Sequence, residues 1–135
     1  MKNIAKISTL LILMLLAFQS ISFAQSIPNT VLKSGAFEAE FHFDVYYSIV
    51  LCNGERTVLI TTFNESGAKT QVGFDIEFAD ADGTKQTLQV PIFSSKLAEM
   101  LRCSCTNDTN SFLRFKLEEN IDLNTLQGKI KFYSK

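Results

Sequence analysis

The stretch FEAEFHFDVYYSIVLCNGERTVLITTF, residues 37 to 63, decides the fold of this chain. From Phe37 to Leu51 every odd position is apolar or aromatic, and the even positions begin as Glu38, Glu40, His42 and Asp44. Alternation with a period of two is typical of a β-strand with one buried and one solvated face. Asn53-Gly54 then ends the run, and this dipeptide favours a type I′ turn, in which both central residues need a positive φ. The stretch is therefore predicted to form one long β-hairpin.

A two-residue loop at Asn53-Gly54 sets the register of this hairpin. It pairs Ile49 with Val58 and Tyr47 with Ile60, so that the two apolar faces coincide, whereas a one-residue slip would set Ile49 against Leu59. A straight strand from Phe37 to Cys52 would exceed ~50 Å, well beyond the usual length. We therefore predict a bend or bulge near Asp44, with the first half pairing in one sheet and the second half in another.

A second hairpin follows the turn-rich stretch at residues 64–67. Val72, Phe74, Ile76 and Phe78 alternate with small or charged residues, and Leu88, Val90 and Ile92 alternate after the next turn. A three-residue loop at Ala81-Asp82-Gly83 pairs Ile76 with Leu88, Phe74 with Val90 and Val72 with Ile92. A two-residue loop would pair Ile76 with polar Gln89, so the three-residue loop is predicted. Pro91 places this strand at a sheet edge.

The period changes after the second hairpin. Ser94 to Arg102 is predicted to be a short crossover helix, capped by Ser94 or Ser95, with Leu97, Met100 and Leu101 on one side. Alternation at Leu113, Phe115 and Leu117 predicts another strand, and Ile130 with Phe132 predicts the last one. Ile121, Leu123 and Leu126 are expected to turn inward.

These patterns predict an all-β fold, namely an antiparallel two-sheet immunoglobulin-like β-sandwich of six or seven strands with one short crossover helix. A small closed β-barrel is the alternative. The Cys…Trp…Cys framework of antibody domains is missing, because the chain contains no tryptophan.

The N-terminus reads as a targeting segment. Lys2 and Lys6 precede the apolar run from Ile7 to Phe18, and Ser22-Phe23-Ala24 is a small-x-small cleavage site. Three parts follow: a cleaved signal peptide at 1–24, a flexible leader at 25–35 with a possible edge strand, and a single β-sandwich domain at 36–135. No later run is long enough to span a membrane, so the mature chain is predicted to be exported, periplasmic or extracellular, without an integral membrane segment.

The charge balance excludes one class of partner. Removing Lys2 and Lys6 from the 13 basic residues leaves 11 against 14 acidic residues, a net charge of −3. The chain also has no run of Lys or Arg, and a nucleic-acid partner is therefore not expected.

The signal segment, the run from Tyr47 through Cys52-Asn53-Gly54 and the strand at Val58-Leu59-Ile60 resemble small, uncharacterised exported bacterial proteins with immunoglobulin-like sandwiches. This resemblance implies a fold, and it implies no activity.

Three cysteines remain after export: Cys52, Cys103 and Cys105. In an oxidising compartment two of them are expected to pair, and a disulfide from Cys52 to either Cys103 or Cys105 would staple the hairpin tip to the crossover. The spacing leaves both partners open. Such a bond is expected to contribute about 2–4 kcal/mol.

Three groups of residues are candidate metal ligands. Met100, Cys103 and Cys105 offer soft sulfur ligands of the type that selects Cu(I), or a redox-active thiol pair. Glu40, His42 and Asp44, with Glu38, share one face of the predicted strand, which suits a divalent metal or simply a solvated edge. Asp80 and Asp82 suit a weak calcium site at a hairpin tip, and they are also ordinary turn residues.

No catalytic motif is present: His42 is the single histidine, and Gly-x-Ser-x-Gly, phosphate-loop and His-Glu-x-x-His patterns are missing. The chain is therefore predicted to be a non-catalytic exported module without a cofactor. It would bind a protein or glycan partner through its loops or an exposed sheet edge, or serve a structural role at the cell envelope. The alternative is a small periplasmic Cu(I) or thiol-redox protein that uses Cys103, Cys105 and Met100.

Overall fold

The computed structural model describes residues 29–106 and 109–133. The predicted signal peptide and residues 25–28 of the predicted leader lie outside these ranges. Within them the chain forms eight strands and one short 3₁₀ helix, and no α-helix. In chain order the strands are β1 (Val31–Glu40), β2 (Phe43–Cys52), β3 (Glu55–Asn64), β4 (Thr70–Ala79), β5 (Lys85–Ser95), β6 (Met100–Arg102), β7 (Arg114–Lys116) and β8 (Gln127–Tyr133); the 3₁₀ helix is Ser111–Leu113.

The strands form two antiparallel sheets that face each other across one core. The larger sheet has the order β1-β2-β3-β6, with β7 also paired to β3, and the smaller has the order β5-β4-β8. The predicted two-sheet sandwich is confirmed, and the strands of the described ranges do not close into a barrel. The strand count is higher than predicted because the predicted long strand is two strands, β1 and β2, and because β6 stands where a helix was predicted. Strands β1 to β3 follow one another in one sheet, whereas the third strand of an immunoglobulin constant domain lies in the opposite sheet.

The central hairpin has the predicted register. Cys52 pairs with Glu55, Ile49 with Val58, and Tyr47 with Ile60. Asn53 and Gly54 have φ values of 53° and 84°, as a type I′ turn requires.

The long strand predicted from Phe37 to Cys52 is wrong, and so is its division between two sheets. The chain reverses at Phe41-His42, and β1 folds back on β2 within the same sheet. With a two-residue turn alone, the even-numbered residues of β1 would lie on the same face of the sheet as the odd-numbered residues of β2, which is the core face. The register shift between Phe37 and Glu40 returns the odd-numbered residues of β1 to this face, so that Phe37 and Val45 pair on the core side. The alternation therefore continues through the turn and conceals it.

The second hairpin also follows its prediction closely. Asp80 and Thr84 close a three-residue loop through a backbone hydrogen bond of 3.1 Å, and Ile76 pairs with Leu88. Val72 pairs with Phe93 instead of the predicted Ile92, because the register shifts between Val72 and Phe74. Strand β5 lies at a sheet edge, as Pro91 predicted.

The predicted crossover helix from Ser94 to Arg102 does not form. Ser94 and Ser95 complete β5, and residues 96–99 make a turn in which the Glu99 amide donates to the Lys96 carbonyl at 3.2 Å. Residues 100–102 then pair with β3 as β6. The helical spacing is overridden because pairing along β3 satisfies the backbone of this segment and turns Leu101 toward the core.

Aromatic side chains fill the gap between β1 and β8. The ring centroids of Phe37 and Tyr47 lie 5.3 Å apart, and those of Tyr47 and Phe78 lie 5.1 Å apart. Gly128 leaves room for them, since a Cβ there would lie 2.8 Å from Cε1 of Phe37. Residues 31–35, assigned to the leader, are therefore part of an edge strand that encloses the core.

Candidate functional site

Three connections meet at one end of the sandwich: the β1–β2 turn (41–42), the β3–β4 loop (65–69) and the β5–β6 turn (96–99). We call these residues the loop end. Backbone hydrogen bonds join them, because the Glu65 amide donates to the His42 carbonyl at 2.8 Å and the Ala98 amide to the Asn64 carbonyl at 3.0 Å. The three connections therefore form one continuous surface.

Asn64, the last residue of β3, holds the loop end together from inside. Its side chain is fully buried, and its Nδ2 lies 2.9 Å from the Ala68 carbonyl, 3.2 Å from that of Ser95 and 2.9 Å from that of Lys96. Its Oδ1 accepts from the amide and the hydroxyl of Ser66. One side chain thus fixes two of the three connections, and nothing in the strand pattern pointed to it.

Backbone strain is concentrated at the loop end. Phe41, His42 and Ala98 have φ values of 56°, 59° and 54°, in the left-handed region. The other non-glycine residues with positive φ in the described ranges are Asn53 and Asn110, and asparagine tolerates this region. Histidine is also enriched in this region, whereas for Phe41 and Ala98 the conformation costs roughly 1–2 kcal/mol each. Such strain often marks a functional surface.

Large apolar side chains project from the same end. Phe41 is 76% exposed, Leu97 is 59% exposed and Met100, at the start of β6, is 54% exposed. Exposed apolar side chains that are grouped together are typical of interaction sites, whereas isolated ones carry no such meaning. Phe41 is the most exposed large hydrophobic residue of the described ranges.

An apolar cleft opens beside Phe41, between the β1–β2 turn and the end of β8. Its volume is about 340 Å³, within the range of small ligand sites. Phe43, Val72 and Phe132 form its apolar lining, with the rings of Phe43 and Phe132 nearly perpendicular at 81°. The remaining lining residues are Glu40, Phe41, Thr70, Gln71 and Tyr133.

The disulfide lies at the opposite end of the sandwich and joins Cys52 to Cys105. Arg114 supports it by donating to the carbonyls of Ser104 and Cys105 at 3.0 and 3.1 Å. Cys103 packs against the core and its thiol donates to the Leu113 carbonyl at 3.0 Å; burial raises the pKa of this thiol. The predicted bridge is therefore confirmed, and Cys105 is its partner.

The predicted sulfur ligands are not brought together. Cys105 has no thiolate to offer while it is bonded to Cys52. Cys103 is directed into the core and Met100 toward solvent.

The predicted ligand face of Glu40, His42 and Asp44 is wrong as a strand face. The turn leaves Glu40 on β1, His42 in the loop and Asp44 on β2. Asp44 instead accepts a hydrogen bond from the Tyr46 hydroxyl at 3.2 Å, which raises the pKa of Tyr46. Within the described ranges, no group of three or more His, Cys, Asp or Glu side chains is placed to hold a metal ion.

Asp80 stabilises the β4–β5 turn through hydrogen bonds of its side chain. Its carboxylate accepts from the Thr84 amide at 2.9 Å and from the Asp122 amide at 3.1 Å. Both hydrogen bonds lower the pKa of Asp80, and the bond from the Asp122 amide has the larger effect. Asp82 lies exposed at the loop tip. The carboxylate thus joins the β4–β5 turn to the loop before β8.

The bonds of Asp80 predict a pH dependence. A lowered pKa in the folded state contributes stability above the pKa of the unfolded chain, and this contribution is lost as the pH falls through the folded value. Asp80→Asn is therefore expected to lower the stability at pH 7 and to flatten its decline below about pH 4. Urea unfolding of both proteins between pH 7 and 2.5 measures this; parallel curves would contradict it.

Three edge strands, β1, β5 and β8, carry features that block pairing with another strand. Strand β1 carries two register shifts, and Lys33 on it donates to the Leu123 carbonyl at 2.8 Å. Strand β5 contains Pro91, and β8 carries Lys129 and Lys131. Bulges, prolines and lysines are the usual means of blocking edge pairing. Of the two predicted binding modes, the loops are therefore favoured over an exposed edge.

Among the described residues, no helix has the length and apolar character needed to cross a membrane. Comparison with protein-family models, curated proteins and solved structures gives no match. The proposed function rests on the geometry of the loop end.

Proposed function

We propose that this protein is an exported, non-catalytic binding module that contacts a protein partner through Phe41 and the surrounding loop end. Export is supported by the basic and apolar N-terminal segment with its cleavage site, and by the disulfide, which suits an oxidising compartment. Binding is supported by the exposed apolar side chains and by the neighbouring cleft.

The observation that carries this proposal is a comparison of two turns in the same sheet. Both hairpins of β2 have two-residue loops with positive φ at both positions. One loop is Asn53-Gly54, the dipeptide preferred for this geometry, and the other is Phe41-His42, whose phenylalanine the geometry disfavours. Folding alone gives no reason for a phenylalanine at position 41, where its ring is mostly in solvent. A contact with another molecule gives one.

The chemistry of the loop end favours a protein over a glycan. Phe41 and Leu97 are apolar and exposed, and the cleft that Phe41 lines has an apolar floor. Protein interfaces are centred on aromatic and aliphatic side chains that fill pockets and become fully desolvated. The surface fits such a contact, with Phe41 as the anchor.

Exchange of the strained turn tests the proposal. The double variant Phe41→Asn, His42→Gly copies the other loop, and it is expected to raise the free energy of unfolding by about 1–2 kcal/mol because the left-handed conformation is no longer strained. The same variant is expected to lose its partner. Asn53→Phe with Gly54→His is the reciprocal control, which lowers stability and leaves binding unchanged. A turn variant that binds normally would overturn the proposal.

Photo-crosslinking identifies the partner. A benzoyl-phenylalanine replaces Phe41 in one protein and Leu51, an exposed apolar residue near the opposite turn, in the other. Each variant is expressed in its native host with its own N-terminal segment. The intact mass of the product is expected to match a chain that begins at Gln25. We expect position 41 to give one defined protein adduct that position 51 does not. Adducts with polysaccharide, equal adducts at both positions, or an uncleaved chain retained in the cell would contradict the proposal.

A further inference from the structure

We propose that the cleft beside Phe41 receives an arginine side chain of the protein partner. This inference rests on the proposed function and names the chemistry that its surface recognises. Two features of the cleft carry it: its aromatic walls and its single charged group.

The walls of the cleft present several aromatic rings to one small space. Phe41, Phe43, Phe132 and Tyr133 line it, and the rings of Phe43 and Phe132 cross at 81° with centroids 6.4 Å apart. The Tyr133 hydroxyl is already bound to the Val90 carbonyl at 2.7 Å, so its ring is held in place. Aromatic faces attract cations, and guanidinium groups stack on them most readily.

The charge of the cleft points to the same ligand. Glu40 is the one charged residue of its lining, and within the described ranges its carboxylate forms no ion pair or side-chain hydrogen bond. The lining therefore contains no basic side chain that could pair with Glu40. A cation from the partner would neutralise this carboxylate. A carboxylate suits the planar fork of a guanidinium, which it binds through two parallel hydrogen bonds.

The floor of the cleft suits the remainder of the side chain. Phe43 and Val72 are buried and apolar, and they lie beside the exposed carboxylate of Glu40. An arginine stem covers apolar surface while its charged head stays at a polar rim. An apolar partner side chain would leave Glu40 unpaired, whereas an arginine uses both parts of the cleft.

Titration with a small probe tests this on the full mature chain. Nα-acetyl-arginine N-methylamide is added to ¹⁵N-labelled protein, and amide shifts are followed at Gln71, Val72 and Tyr133. The neutral isostere Nα-acetyl-citrulline N-methylamide is the matched probe, and choline represents a lipid headgroup. We expect saturable shifts with the arginine probe, and binding several-fold weaker with citrulline and with choline. Equal binding of citrulline would overturn the ion-pair argument, and tighter binding of choline would assign the cleft to a lipid headgroup instead.

Two variants localise the effect. Glu40→Gln is expected to weaken binding of the arginine probe about three- to fivefold and to remove its salt dependence. Phe41→Leu, which keeps an apolar side chain and loses the ring, is expected to weaken it about two- to fivefold. Glu118→Gln, at another exposed carboxylate, is the control and leaves binding unchanged. If the probe does not bind while Phe41 still crosslinks to a partner, this inference fails and the proposed function stands.

Discussion

Replacement of Asn64 by aspartate is expected to lower the free energy of unfolding by about 3–5 kcal/mol at pH 7. The two side chains have the same shape. However, the new carboxylate would face the carbonyls of Ala68, Ser95 and Lys96 without a proton to donate, in a site that excludes water. Urea unfolding measures the loss against the wild type.

The pH dependence of this variant has a definite sign. Burial against carbonyl oxygens raises the pKa of an acid, and an acid with a raised folded pKa loses stability above its unfolded pKa. The deficit of Asn64→Asp relative to the wild type is therefore expected to shrink as the pH falls from 7, and to reach its smallest value at about pH 4 and below. Asn120→Asp, at an exposed loop position, is the control and should stay within about 0.5 kcal/mol. A loss below about 1 kcal/mol for Asn64→Asp would show that the amide does not hold the loop end together.

Removal of the disulfide by the double variant Cys52→Ala, Cys105→Ala is expected to cost about 4 kcal/mol, because the bridge closes a loop of 53 residues in the unfolded chain. Most of this loss arises in the unfolded state, which gains conformational freedom. Urea unfolding of the oxidised wild type and of the double variant measures it.

Cys103 provides the control for this experiment. Cys103→Ala leaves the bridge intact and removes one half-buried thiol, so its expected cost is about 1 kcal/mol. A peptide map without reducing agent should show Cys52 joined to Cys105 in both the wild type and this variant. A map in which Cys52 is joined to Cys103, or a single variant as unstable as the double one, would refute the assignment of the bridge.

The loop end differs from the opposite end of the sandwich, where the disulfide lies, in the residue types that form its turns. The disulfide end is stabilised by the bridge, by the Asn53-Gly54 turn and by the carboxylate of Asp80. Each of these residue types is one that its position favours. The opposite end carries bulky residues in strained turns, fixed by a buried asparagine. Strain of this kind persists only where the surrounding structure enforces it. Under the proposed function, Asn64 supports binding indirectly, since it fixes the β3–β4 loop and the β5–β6 turn beside the turn at Phe41.

Much of the fold could be predicted from local patterns. Asn53-Gly54 specifies the first hairpin to the residue, and the Ala81-Asp82-Gly83 loop specifies the second as far as the register shift before Phe74. Turn chemistry and a period of two leave one register that matches the apolar faces. The sequence predicts a bridge from Cys52 but leaves two partners open, since Cys103 and Cys105 have almost the same sequence separation from Cys52. The core position of Cys103 decides between them.

Other features could not be predicted because no local pattern encodes them. The turn at Phe41-His42 uses residues that turns disfavour, and a bulge keeps the alternation intact across it. The length of the apparent strand was the one sign of a break. The segment from Ser94 to Arg102 has helical spacing, yet it pairs with β3 because that edge offers it backbone partners.

By itself, the sequence determined that the chain is an all-β sandwich with two well-defined hairpins, because alternation and turn residues act between neighbours. Only the tertiary structure decided which loops meet, which cysteine is bridged and where Phe41 and its cleft lie. Those outcomes depend on contacts between residues distant in the chain, and they are fixed by burial, by hydrogen bonds to one asparagine and by the packing of the two sheets.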